Sequence, residues 1–167
     1  MVQGWIRQVL LRDLGALRRQ IEAYDREGDL WATPPGVSNS AGNLALHVAG
    51  NLQHFVGATV GGTGYERDRP AEFEGRDVPR DELYQALDET AAAVAHTLAG
   101  LSDDRLHEPF PPVLGNVRVT TGDFLLHLAT HLSYHLGQVD YHRRIVTGSG
   151  ALPDVMDIGE LATASEG

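Results

Sequence analysis

TGDFLLHLATHLSYHLGQVDYHRR, residues 121–144, carries four of the chain's eight histidines on one stretch of helical periodicity. Successive residues of an α-helix turn by about 100°, so side chains four apart stack one turn above another on nearly the same face. His127, His131 and His135 form such a ladder, and His142 follows seven residues after the last. With Leu128 as the reference direction, Phe124, Leu125, Leu132, Leu136, Val139 and Val146 fall within about −40° to +80°. On the same wheel His135 sits near about −20°, His142 near about −40°, His131 near about −60° and His127 near about −100°. The i, i+4 pair turned toward the interior is therefore His131 with His135, while His127 drifts outward.

Such a pair is the minimal helical clamp for a divalent transition metal, because both imidazoles aim a nitrogen at one point beside the helix. It needs a third ligand from elsewhere. His47 is the best placed, at the edge of its own helix's apolar stripe, about 60° from Leu44 and about 40° from Asn51. His54, two turns along, is the reserve. The competing reading is an ordinary pair of helical histidines satisfied by backbone carbonyls, which is the commoner fate of histidine. No HExxH occurs, so the glutamate base of a metalloprotease is missing.

The rest of the chain supplies a helical frame. Val2, Trp5, Ile6, Val9, Leu10, Leu14, Leu17, Ile21 and Tyr24 recur at spacings of three and four and predict a helix over residues 2–27, stopped by Gly28. A loop with two prolines leads to the cap candidates Ser38, Asn39 and Ser40. A second helix is expected over residues 41–60, with Gly61 and Gly62 ending it. Residues 63–79 are charged and without periodicity, and read as a long crossover loop. A third helix follows Pro79, with Leu83, Leu87, Thr90, Ala91, Val94 and Leu98 on its core face. Before the histidine helix, Val113 and Leu114 and residues 117–119 flank Gly115-Asn116, a pair suited to a small β-hairpin. Thr121 is expected to cap the fourth long helix, which runs to about Val146 before Gly148. The pattern predicts an all-α four-helix bundle over residues 1–147 and a partly disordered tail over residues 148–167.

Composition narrows the function. A chain of 167 residues is one domain's worth. No apolar run reaches membrane-spanning length, and Arg7, Arg12 and Asp13 interrupt the start, so no membrane or secretory segment is expected and the cytoplasm is the default location. A formal charge of −10 opposes nucleic acid as a partner. The absence of cysteine removes disulfides, thiolate ligands and a cysteine nucleophile, so any metal is held by nitrogen and oxygen. With no lysine among the thirteen basic residues, a Schiff-base lysine is excluded as well.

The segment HLSYHLGQVDYHRR, together with LALHVAGNLQHFVG upstream, resembles the DinB/YfiT-like superfamily of metalloenzymes, the DinB-like four-helix bundle proteins. The resemblance runs from the first helix to about residue 147. Its motifs are one histidine in the second helix, then HxxxH followed by Gly-Gln in the fourth. It places the metal triad on His47, His131 and His135, and implies zinc or nickel and a homodimer. It implies, too, a thiol S-transferase of the bacillithiol or mycothiol type, acting on a small-molecule substrate with a low-molecular-weight thiol. A metal-dependent hydrolase and a non-catalytic metal-binding, stress-associated protein are the alternatives.

Three neutral imidazoles leave open coordination positions, the pattern of a catalytic rather than a structural site. Gln138, at about −80°, is placed to hydrogen-bond a ligated water or to orient a histidine. Tyr134, at about −120°, is expected to pack against a neighbouring helix or subunit. Neither histidine helix carries an obvious carboxylate base beside its histidines. Arg67 and Arg69 in the crossover could clamp a substrate carboxylate, or form surface ion pairs with Asp68 and Glu72. His54, His96, His107 and His142 read as structural or surface residues, with His142 the exception that faces inward.

Overall fold

The computed structural model describes residues 2–111, 117–153, 155–161 and 163–165, and the regular elements among them are all helical. In chain order the α-helices are α1 (Val2–Glu22), α2 (Ala41–Leu52), α3 (Arg69–Glu74), α4 (Arg80–Ala99), α5 (Asp103–His107) and α6 (Thr121–Thr147). A 3-10 turn, Glu27–Trp31, precedes α2, and α2 runs on without a break as a π-helical segment, Gln53–Val60. A second 3-10 turn, Ile158–Glu160, lies in the tail.

Ile6, Leu10, Leu14, Leu17 and Ile21 form the buried stripe of α1, as their spacing requires. The helix ends at Glu22, five residues short of the expected boundary, and Gly28 falls inside the 3-10 turn. The chain leaves the helix early because Tyr24, Leu30 and Trp31 are all buried, and a straight helix would carry them past the core. Ser40 caps α2 by accepting from the Asn43 amide at 3.2 Å. Eleven of the twelve residues of α2 are buried, so it is the central helix of the molecule. Counted with its π-helical continuation, it spans the expected residues 41–60.

The crossover is not a plain loop. Asp68 accepts from the Ala71 amide at 3.0 Å and Pro70 sits in the first turn, so α3 forms in its middle. Beyond Pro79, α4 buries Leu83, Leu87, Thr90, Val94 and Leu98, with Ala91 partly covered. The expected hairpin has its first strand, Val113 and Leu114, and its Gly115-Asn116 turn in residues 112–116, outside the described residues; beside them an antiparallel bridge joins Pro109 to Thr120. Thr120, one residue earlier than expected, caps α6 by accepting from the Asp123 amide at 3.1 Å. Gly148 closes α6 with a left-handed φ of 70°.

α1 packs against α4 and α6, and α2 packs against the same two helices, which places each of the four long helices against two others. A polar brace crosses the α1–α6 seam: Arg143, 1% exposed, donates to Gln20 at 2.7 Å and to the Gly150 carbonyl at 2.9 Å. Further along the tail, Arg19 holds the Val155 carbonyl and pairs with Glu160, both at 3.3 Å. Among the described residues no helix is long and apolar enough to cross a membrane.

Candidate metal centre

His47 of α2 meets His131 and His135 of α6, while Phe55, two turns further along the α2 axis, meets Phe124, two turns back along α6. The two helices therefore run antiparallel across the site, and one turn of α6 supplies two imidazoles to the one from α2. His47 is 7% exposed, and His131 and His135 are half-buried.

The ring nitrogens of the three residues lie within 4.8 Å of one another. His131 Nε2 stands 3.0 Å from His135 Nε2 and 3.4 Å from His47 Nε2. Two nitrogens that share one ion at about 2.0–2.1 Å, at tetrahedral or octahedral angles, are about 2.9–3.4 Å apart. The two spacings from His131 fall in that range, and the third nitrogen lies within 4.8 Å of both others.

Tautomers follow from the partners of the other ring nitrogens. His47 Nδ1 donates to Glu72 Oε2 at 2.9 Å, and His135 Nδ1 donates to Gln138 Oε1 at 2.7 Å. Each Nε2 is then an unprotonated lone pair. Lone pairs facing each other form no hydrogen bond, so what these two rings present to the shared point is donor density for a cation. Burial holds the pKa of all three histidines below the ordinary value, most at His131, where His135 and His47 add to the burial and bring it to about 4. At His47 and His135 the hydrogen bonds donated to Glu72 and Gln138 partly oppose the burial. Neutral imidazole is the form a metal binds, and it is the form present at neutral pH.

The other histidines stand apart. His127 is exposed, its ring stacked 5.8 Å from Phe124 and 5.9 Å from His131. His54, the reserve ligand, packs against Phe55 and is not part of the cluster. His96 and His107 are exposed. His142 is buried with both nitrogens engaged: Nδ1 accepts from the Tyr24 hydroxyl at 2.7 Å and Nε2 donates to the Ala32 carbonyl at 2.8 Å. Tyr134 is 65% exposed beside His135, at a ring separation of 5.4 Å.

The crossover arginines divide. Arg67 makes a two-pronged pair with Glu72, 2.6 Å to Oε1 and 2.8 Å to Oε2, and both side chains are largely covered, so this is an internal pair and not a surface one. Arg69 lies over the Phe73 ring at 5.1 Å, and Asp68 is spent on capping α3. Glu72 is the residue that sequence reasoning missed. It supplies the carboxylate absent from both histidine helices, delivered by a third element. Its signal was present in Asp68-Arg69-Pro70, a cap followed by a proline, which announces a helix start and puts Glu72 in its first turn.

Fold and cluster together define an all-helical protein with a three-imidazole site suited to a divalent cation. The sequence profile of the DinB superfamily matches residues 10–139, and the chain belongs to that superfamily. No curated protein matches it.

Proposed function

We propose that the protein is a metal-dependent enzyme built on a DinB-like four-helix bundle, with His47, His131 and His135 as ligands of a divalent zinc or nickel ion. We read its reaction as a thiol S-transfer of the bacillithiol or mycothiol type. The observation that carries the reading is the convergence of one nitrogen from each of three imidazoles within 4.8 Å, with His131 Nε2 at 3.0 and 3.4 Å from the other two. An ion held by three imidazoles supplies Lewis acidity at open positions, which lowers the pKa of a bound thiol or water. The protein's own part is to hold the rings and leave a way in. Glu72 and Gln138 fix two of the three imidazoles, and the exposed His127, Tyr134 and Gln138 put this side of α6 in contact with solvent. A chain without cysteine fits a thiol that arrives as substrate.

Metal analysis of protein purified without a histidine tag is expected to find about one equivalent per chain, and none after replacing all three histidines with alanine. Zero metal in the wild type, or unaltered content in the variant, overturns the centre. Incubating loaded protein with bacillithiol, mycothiol or glutathione and monochlorobimane then tests the reaction. No rate above the metal-free control with any thiol removes the transferase reading and leaves a metal-binding protein.

A further inference from the structure

We infer that α3 is a clamp on His47: Glu72 is a positioning residue of the centre, Arg67 is its counter-charge, and Gly50 is the gap in α2 that admits it. The inference rests on the metal reading above.

A carboxylate is costly to bury, and Glu72 is only 5% exposed. Arg67 compensates the charge, yet a buried ion pair with no further task is often no better than two apolar side chains of the same size. The task here is visible in the geometry. While Arg67 occupies both oxygens from one direction, Oε2 also accepts the Nδ1 proton of His47 at 2.9 Å. That bond fixes the tautomer that leaves Nε2 free, and a charged acceptor makes the imidazole a stronger donor to a metal.

The surroundings are arranged for this contact. Gly50 lies three residues beyond His47, and a Cβ there would overlap Glu72 Oε1. A larger residue there would require the carboxylate to shift from the position in which it meets both Arg67 and His47. α3 has only six residues, too few to hold its shape alone. It is anchored by Asn43, 1% exposed, whose Nδ2 donates to the carbonyls of Glu72 and Gly75, each at 3.0 Å. The Phe73 ring then lies 4.8 Å from that of His47, at 38°. His47 is thus gripped at one edge by a carboxylate and on one side by an aromatic ring, both from the same short helix.

The test compares metal dissociation constants, measured by chelator competition, for wild type, Glu72→Gln and the double variant Arg67→Met with Glu72→Leu. Each variant is expected to bind metal about 10–100-fold more weakly than wild type. The double variant leaves no buried charge behind, so its metal-free stability falls by no more than about 1–3 kcal/mol, the cost of one unpaired imidazole N–H, while the affinity loss persists. Proton NMR of the wild type is expected to show a downfield imidazole N–H resonance from His47 that Glu72→Gln shifts or abolishes, a change that a scaffolding role would not produce. Wild-type protein that binds no metal overturns the centre and the clamp together. Wild-type binding with both variants within about twofold of it overturns the clamp alone.

Discussion

α6 buries histidines in two different ways. His142 is buried where a tyrosine hydroxyl and a backbone carbonyl satisfy both ring nitrogens, and neither nitrogen is left to bind a metal. Two and three turns earlier, His135 and His131 direct Nε2 atoms at each other and at His47. Both kinds face inward and both have pKa values lowered chiefly by burial. Burial and depressed pKa therefore do not separate a structural histidine from a ligand. What separates them is where the ring nitrogens point, at a hydroxyl and a backbone carbonyl for His142 and at other imidazoles for His131 and His135.

The sharpest way to break this comparison is to exchange the roles by mutation. Alanine at His47, His131 and His135 is expected to take bound metal from about one equivalent to background, whereas His142→Leu keeps full stoichiometry. Metal lost from His142→Leu in a folded protein would show that His142 belongs to the centre. Its expected cost lies in stability. The variant leaves the Tyr24 hydroxyl and the Ala32 carbonyl without partners, at about 1–3 kcal/mol for each polar group, so urea unfolding of the metal-free protein should show a loss of about 2–6 kcal/mol. A loss below about 0.5 kcal/mol would mean that water replaces the imidazole.

pH sharpens the comparison from another side. A histidine whose folded pKa is lowered is protonated more readily in the unfolded chain, so its stabilising contribution is full above the unfolded value of about 6.5 and is lost as pH falls toward the folded value. For His131 that window runs down to about 4. The metal-free protein is therefore expected to melt at a near-constant temperature from neutral pH to about 9, and at falling temperatures below about 6.5. His142 contributes with the same sign, so His142→Leu should flatten that decline. Metal affinity responds differently from three ordinary histidines, for which moving from pH 7.5 to 6.0 costs roughly 50-fold through proton competition. With the pKa of all three ligands lowered by burial, chelator competition should find a smaller loss over the same interval.

Much of this was legible in the sequence because it depends on local periodicity. The four long helices follow from three- and four-residue spacing, and the wheel of α6 separates His131 and His135 from His127 with no structure in hand. The same wheel places His142 inward but is silent on Tyr24 and Ala32, because partners more than a hundred residues away are set by tertiary packing. Glu72 was hidden for a related reason. Its segment lacks apolar periodicity, and the helix there is set by a cap, a proline and the Asn43 anchor in place of a hydrophobic face. Reading residues 63–79 as loop made Arg67 and Glu72 look like solvent-exposed charges, although their side chains are only 12% and 6% exposed.

The smallest expected effect concerns Gln138, which does for His135 what Glu72 does for His47, with neither charge nor burial. Its Oε1 accepts from His135 Nδ1 at 2.7 Å, but the side chain is exposed, so water can take over the bond once the amide is gone. Gln138→Ala should therefore weaken metal binding by about tenfold at most, the low end of what outer hydrogen-bond partners contribute, with no measurable change in metal-free stability. Gln138→Glu substitutes a charged acceptor at nearly the same length, which makes His135 the stronger donor and should tighten binding by a few-fold, about 2–5. The two substitutions pull in opposite directions from one position, which a general disturbance of α6 would not do. Equal weakening by both would mean that Gln138 only fills space, leaving His47 as the one ligand whose orientation the protein controls.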